Sequence, residues 1–183
     1  MLTRLGRSAR SSTTLVGLLV DCHGRIRQFL GVARAVAERE DVGAADRAEA
    51  CQRVERYFRV ALPLHVRDEE DGLAPRLTTA PPAVLEALAT MTRQHAEHTP
   101  LLEGLLAALA AVEAAPDDLA RRAALAGVVR ELEPELEAHL RLEEAVVFPY
   151  LERALSREVE AELVAELRAR RAPVAAPEPP RAD

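Results

Sequence analysis

The feature that most constrains the fold of this chain is a segment of thirteen residues that occurs twice. HVRDEEDGLAPRL, from His65 to Leu77, is matched 74 residues later by HLRLEEAVVFPYL, from His139 to Leu151. Six columns are identical: the histidine, an arginine, two adjacent glutamates, a proline and a final leucine. A histidine and a glutamate four residues apart lie on one face of an α-helix, ~6 Å apart. The repeat therefore predicts two similar helical halves that each present an imidazole and a carboxylate.

The remaining histidines extend this pattern to the whole chain. His23 lies 42 residues before His65, and His95 lies 44 residues before His139, with His98 shortly after His95. The chain thus alternates a helix that carries histidine with a helix that carries His-x-x-x-Glu, twice over. Since none of the five histidines falls outside this scheme, they are predicted to share one site.

Apolar residues with helical spacing predict an all-α fold, an up-down-up-down four-helix bundle with a short extra C-terminal helix. The first helix is expected to follow N-cap candidates at 11–14 and to end near Glu40. The other helices are expected at about 45–71, 81–114, 119–154 and 156–171.

Glycine and proline residues are expected to end or bend these helices. Gly72 and Pro75 should end the second helix, and Pro63 should kink it or leave a backbone carbonyl without its helical hydrogen bond. Pro134 and Pro149 should bend the fourth helix. Sparse aromatic residues and abundant leucine, valine and alanine also favour helix over sheet.

The chain is predicted to form one domain over 13–171, long enough to enclose a core. Residues 1–12 are expected to be an N-terminal extension. The proline-rich end, 172–183, lacks the apolar residues that a core requires and is expected to be disordered.

Composition disfavours several classes of partner and location. The net charge of −6 argues against nucleic acid, and no segment approaches the ~18 apolar residues that cross a membrane. The apolar run from Leu15 to Val20 is short and ends at Asp21, unlike a signal peptide. Cys22 and Cys51 have neither disulfide nor paired-thiolate spacing, which favours a reducing, cytoplasmic compartment.

The repeated histidines and glutamates lie at positions where a bundle requires apolar residues. Polar groups buried there cost free energy unless they are hydrogen-bonded or coordinated. A single histidine on an apolar face is commonly satisfied by a backbone carbonyl, and a lone His-x-x-x-Glu can be a buried ion pair. Two buried ion pairs add little net stability, so a metal site is favoured. The candidate metal ligands are His23, His65, Glu69, His95, His98, His139 and Glu143.

The ligand types indicate which metal to expect. Five imidazoles and two carboxylates without a thiolate suit iron, manganese or zinc. Seven ligands exceed the four of a tetrahedral zinc, so two ions bridged by Glu69 and Glu143 are predicted. Glu70 and Glu144 lie about 100° around the helix from these bridges and are expected to be exposed to solvent. No catalytic residue is predicted.

These residues resemble the hemerythrin family, in its bacterial hemerythrin-like (HHE cation-binding) branch. The phrase from His139 to Pro149, HLRLEEAVVFP, is similar to the most recognisable motif of that branch. The segment from His65 to Pro75 is a second copy with Ala74 in place of phenylalanine. The resemblance covers roughly residues 13–155.

The resemblance implies a non-haem di-iron centre inside the bundle, with two carboxylates and an oxo or hydroxo group as bridges. By this resemblance one iron is bound by His23 and His65 and the other by His95 and His139. The bridging carboxylates would be Glu69 and Glu143.

The family's third-helix pair of histidines is normally four residues apart, whereas His95 and His98 are three apart. Both therefore stay candidate ligands.

The resemblance further implies binding of dioxygen or a related small ligand, for oxygen, iron or nitric oxide binding, storage or sensing. One alternative is a di-iron redox enzyme that scavenges peroxide or nitric oxide, oxidises ferrous iron or donates iron for cluster repair. No additional general acid or thiol near the motifs favours it. The other alternative is a metal-free helical interaction module. The expected apolar lining of the site is Leu19, Ile26, Phe58, Leu62, Leu132 and Leu136.

Overall fold

The computed structural model describes residues 13–172, and within that range the chain is helical and has no strand. The predictions for 1–12 and for the tail beyond Ala172 concern residues outside the described part. The helices are α1 (Leu15–Glu38), α2 (Ala44–Arg56), α3 (Leu62–Arg67), α4 (Pro82–Ala114), α5 (Leu119–Leu142), α6 (Phe148–Ala154) and α7 (Arg157–Arg171).

Short π-helical and 3₁₀ segments join some of these helices end to end. The second bundle helix consists of α2 and α3 joined by a π-helical segment, followed by a further π-helical segment and a 3₁₀ turn. The fourth consists of α5 and α6 joined by a π-helical segment. The joining segments are Tyr57–Ala61, Asp68–Leu73, Ala74–Arg76 and Glu143–Val147.

The predicted four-helix bundle is confirmed. α1 packs against α2 and α5, and α4 packs against α2 and α5, so the four long elements close into a ring. Side chains of Thr14, Asp118 and Ser156 accept hydrogen bonds from the first backbone N–H groups of α1, α5 and α7. These caps explain why the helices begin close to the expected positions.

Three prolines of the second and fourth bundle helices coincide with widened helical turns. Each π-helical segment ends two residues before a proline, namely Pro63, Pro75 or Pro149. A proline ring clashes with the carbonyl four residues back and cannot donate to it, and a widened i→i+5 turn relieves both problems. The helical turns therefore pass through Gly72 and Pro75, and the expectation that these two residues end the second helix is wrong. Pro134 lies inside continuous α-helix.

The core consists of two apolar clusters, separated along the bundle by a polar layer. On α1 the layer lies between Leu19 of one cluster and Ile26 of the other. On α4 it lies between Met91 and Leu105. The second and fourth bundle helices repeat the arrangement, and this layer contains the repeated histidines and glutamates.

α7 closes one end of the bundle. It packs against α1 and the π-helical segment Asp68–Leu73, and contributes Leu163, Val164 and Leu167 to the apolar cluster there. Among the described residues, no helix combines the length and apolar character that crossing a membrane requires.

Candidate metal centre

Two groups of four side chains occupy the polar layer, and each group has ligand atoms within 4.8 Å of one another. The first group is His23, His65, Glu69 and Glu143. The second group is Glu69, His95, His139 and Glu143. All four bundle helices contribute, and the two glutamates belong to both groups. The sequence-based pairing of His23 with His65, and of His95 with His139, thus matches the way the structure arranges them.

Each shared carboxylate directs one oxygen toward each group. Glu143 places Oε2 3.0 Å from His23 Nε2 and Oε1 2.8 Å from His139 Nε2. Glu69 places Oε1 3.2 Å from His65 Nε2 and Oε2 3.3 Å from His95 Nε2. Two ligand atoms ~2.1 Å from one cation and at right angles are ~3 Å apart. The spacing is that of neighbouring ligands on a common ion, with both carboxylates in bridging positions.

The outer ring nitrogens orient three of the histidines. Glu144 Oε1 lies 2.8 Å from His23 Nδ1, and Glu70 Oε1 lies 2.8 Å from His95 Nδ1. The Oε1 of Gln94 accepts from His139 Nδ1 at 3.0 Å. A cation bound at Nε2 of these rings would require the proton on Nδ1, where each of these oxygens can accept it.

Glu70 and Glu144 correct the expectation that they are simply exposed. Each is partly buried and reaches a histidine on a neighbouring helix. Exposure was inferred from their angle on their own helix, which does not reveal a partner on the next one. The signal that could have identified them was the second glutamate of Glu-Glu, which is present in both copies of the repeat.

The inward nitrogens face one another and the two glutamates. Nε2 of His95 is 3.2 Å from Nε2 of His139, and Nδ1 of each ring already contacts an oxygen on the outer side. Both nitrogens of His65, both oxygens of Glu69 and Oε1 of Glu143 are buried without a well-formed hydrogen bond among the described residues. Unpaired buried polar atoms cost about 1–3 kcal/mol each, more when charged. Cations between these atoms would satisfy them, so the residues fit a pair of metal ions.

Burial favours the neutral, metal-binding form of His65 and His95. Desolvation lowers the pKa of His65 to about 3 and also lowers the pKa of His95. Burial, followed by repulsion from Glu143, raises the pKa of Glu69. Burial opposes ionisation of Glu143 too, but its close contacts with His139 and His23 outweigh burial and lower the pKa of Glu143.

His98 lies beside the two groups and belongs to neither. Its ring is T-shaped to His139 with the centroids 5.3 Å apart, and it is buried. Burial lowers the pKa of His98 to about 4. Of the seven predicted ligands, it is the one that the structure leaves outside both groups.

A small cavity of about 30 Å³ adjoins the second group and His65. His98 also lines it, and the other walls are apolar: Ile26, Leu62, Val66, Leu102, Leu136 and Leu140. Three of the six residues expected to line the site do so. The other three, Leu19, Phe58 and Leu132, are buried in the apolar clusters away from this cavity. The volume is close to the ~30 Å³ that one water molecule occupies in the liquid, so the cavity admits only a very small molecule.

The cysteines take no part in this layer. Cys22 is buried, and its Sγ lies 3.9 Å from an Arg171 nitrogen, next to α7. Cys51 is buried in the opposite apolar cluster. Neither belongs to a metal-binding group among the described residues.

Comparison with known proteins agrees with this geometry. The chain matches the family model described as the hemerythrin HHE cation binding domain over residues 14–126 and again over 88–172. No curated protein matches the chain. The matched ranges contain the four bundle helices and every residue of both groups. The chain belongs to the hemerythrin HHE cation-binding domain family.

Proposed function

We propose that this protein is a non-haem di-iron protein that binds dioxygen or a related small ligand. The observation that carries the proposal is the bridging arrangement of Glu69 and Glu143, each with one oxygen in each group. Imidazole and carboxylate ligands without thiolate suit iron. A pair of ferrous ions there would supply the electrons that reversible dioxygen binding requires.

The surrounding residues support a binding role. The cavity beside the second group excludes all but a small molecule, and its apolar walls keep out bulk water. His98 adds a polar side chain to this cavity and is placed to hydrogen-bond a ligand there. The cytoplasm is the proposed compartment, because both buried cysteines are free thiols.

Reconstitution with iron tests this function. Metal-free protein loaded with ferrous iron under anaerobic conditions should bind about two irons per chain. Exposure to oxygen should produce an oxo-to-iron charge-transfer band, and flushing with argon should reverse it over repeated cycles.

Three outcomes would contradict the proposal. Irreversible oxidation in the first cycle would argue against reversible binding. Catalytic consumption of hydrogen peroxide or nitric oxide would indicate a redox enzyme. A colourless protein whose stability is unchanged by chelators would indicate a metal-free interaction module.

A further inference from the structure

The two groups share both carboxylates, so any difference between them must come from their histidines. In the first group, His23 Nδ1 contacts Glu144, and Arg27 pairs with that same carboxylate at 2.7 Å. Nδ1 of His65 is buried without a hydrogen-bond partner among the described residues. The first group thus has one oriented histidine, and an arginine compensates the charge of its carboxylate partner.

The histidines of the second group have stronger outer contacts. Glu70 Oε1 lies 2.8 Å from His95 Nδ1, and no arginine pairs with Glu70 among the described residues. Gln94 accepts from His139 Nδ1 at 3.0 Å. Both histidines of this group are therefore oriented, one of them by an uncompensated carboxylate.

An acceptor on the outer nitrogen fixes the ring and makes the inner nitrogen a better donor to a metal. A carboxylate does so more strongly than an amide, and a neighbouring guanidinium weakens the effect by attracting the same charge. We infer that the second group binds the first metal ion to enter and holds it more tightly, with Glu70 as the positioning residue that sets this order. The inference rests on the proposed function only in requiring that the groups bind a cation.

Cobalt(II) is a suitable probe, because it accepts the same ligands and its position is visible by anomalous diffraction. Crystals of the metal-free full-length protein would receive one equivalent of cobalt. We expect the anomalous peak between Glu69, His95, His139 and Glu143. Calorimetry in solution should show two binding steps.

Two matched substitutions separate the contributions of the outer carboxylates. Glu70→Gln keeps an acceptor for His95 and removes the charge, and should weaken the tighter step about 10- to 100-fold. In its crystals, occupancy at one equivalent should shift toward the first group. Glu144→Gln should weaken only the other step. The unfolding midpoint of metal-free Glu70→Gln should stay at the wild-type value, which a merely structural role would not predict.

The possible results distinguish this inference from the proposed function. A cobalt peak in the first group, or equal peaks in both, overturns the filling order. An unchanged tighter step in Glu70→Gln overturns the role of Glu70. Absence of cobalt binding at both groups overturns the proposed function itself.

Discussion

At the scale of single residues, the centre is defined by acceptors that face one another. The inner nitrogens of His95 and His139 lie 3.2 Å apart, and the buried oxygens of Glu69 lack hydrogen-bond partners among the described residues. This arrangement is unfavourable for a metal-free protein, because desolvated polar atoms are left unpaired. The same residues should therefore control metal content more strongly than they control folding.

Glu143→Ala should abolish binding of both irons, since Glu143 contributes an oxygen to each group. Metal analysis after anaerobic reconstitution measures this effect. Glu135→Ala, at an exposed position of the same helix, serves as the control and should retain about two irons. Full iron occupancy in Glu143→Ala would reject the bridging assignment.

His98→Leu should change the pH dependence of stability in the metal-free protein. The pKa of His98 is lowered to about 4 in the folded state, against ~6.5 when unfolded, so the unfolded chain binds more protons between these values. His98 therefore destabilises the fold as pH falls below 6.5. When the pH is lowered from 7.5 to 5, the free energy of unfolding of His98→Leu should rise by about 1–2 kcal/mol relative to that of the wild type.

Urea unfolding with a chelator present measures that difference. Comparing the two proteins at each pH subtracts the titration of the other buried groups. One of these is Glu69, whose raised pKa stabilises the fold as the pH falls and so opposes the effect of His98. A stability difference that does not vary with pH would show that His98 is protonated equally in both states.

At the scale of helices, local chemistry made most of the fold predictable. Caps at Thr14, Asp118 and Ser156 act within one turn, so sequence alone located the helix starts closely. The π-helical segments could not be located in this way, because proline allows either a break or a widened turn. Helical turns continue past Pro75, and α7 packs against the preceding π-helical segment, Asp68–Leu73.

The candidate site shows the same division between local and long-range information. The repeat predicted a histidine and a glutamate on one face of each of two helices, because spacing on a helix determines which side chains share a face. The pairing of the histidines around the two glutamates came from the resemblance to the hemerythrin family. The roles of Glu70 and Glu144 were not predicted, since each depends on a histidine of another helix. The position of His98 outside both groups depends on where α4 lies relative to α5.

Arginines on two neighbouring helices satisfy the C-terminal end of α1. Nε of Arg122 donates to the carbonyl of Ala37 at 3.3 Å, and its Nη2 donates to the carbonyl of Arg39 at 3.0 Å. Nη2 of Arg47 donates to the same Arg39 carbonyl at 3.0 Å. Helix ends leave such carbonyls unpaired, so the buried guanidinium groups act as caps.

Arg122→Met should destabilise the protein by about 1–3 kcal/mol, because it leaves the Ala37 carbonyl without this donor. Chemical denaturation measures the loss. Arg130→Met, at an exposed position of the same helix, should cost under ~0.5 kcal/mol. Equal stability of the two variants would refute the capping role, and iron content should be normal in both.

At the scale of the whole molecule, α7 is connected to the polar layer through a buried carboxylate. Asp68, next to the bridging Glu69, is almost fully buried and pairs with Arg170 at 3.0 Å and with Arg171. These contacts join residues about 100 positions apart in sequence. The C-terminal helix thereby holds the segment that presents Glu69, one of the two carboxylates that belong to both groups.

Replacing both Arg170 and Arg171 with alanine should destabilise the fold by about 3 kcal/mol, since it leaves the Asp68 carboxylate buried without a cation. Adding Asp68→Asn to that variant should recover part of the loss, because the uncompensated charge is then absent. Arg168→Ala, at an exposed position of α7, is the control. Thermal or urea unfolding measures all four proteins, and the absence of any recovery would argue against a buried ion pair.

The central claim is that one layer of the bundle holds two metal ions bridged by two carboxylates. X-ray absorption at the iron edge of the fully loaded protein tests it most directly. The account predicts nitrogen and oxygen ligands only, together with scattering from a second iron about 3–4 Å away. A single isolated iron, or a sulfur ligand, would contradict it.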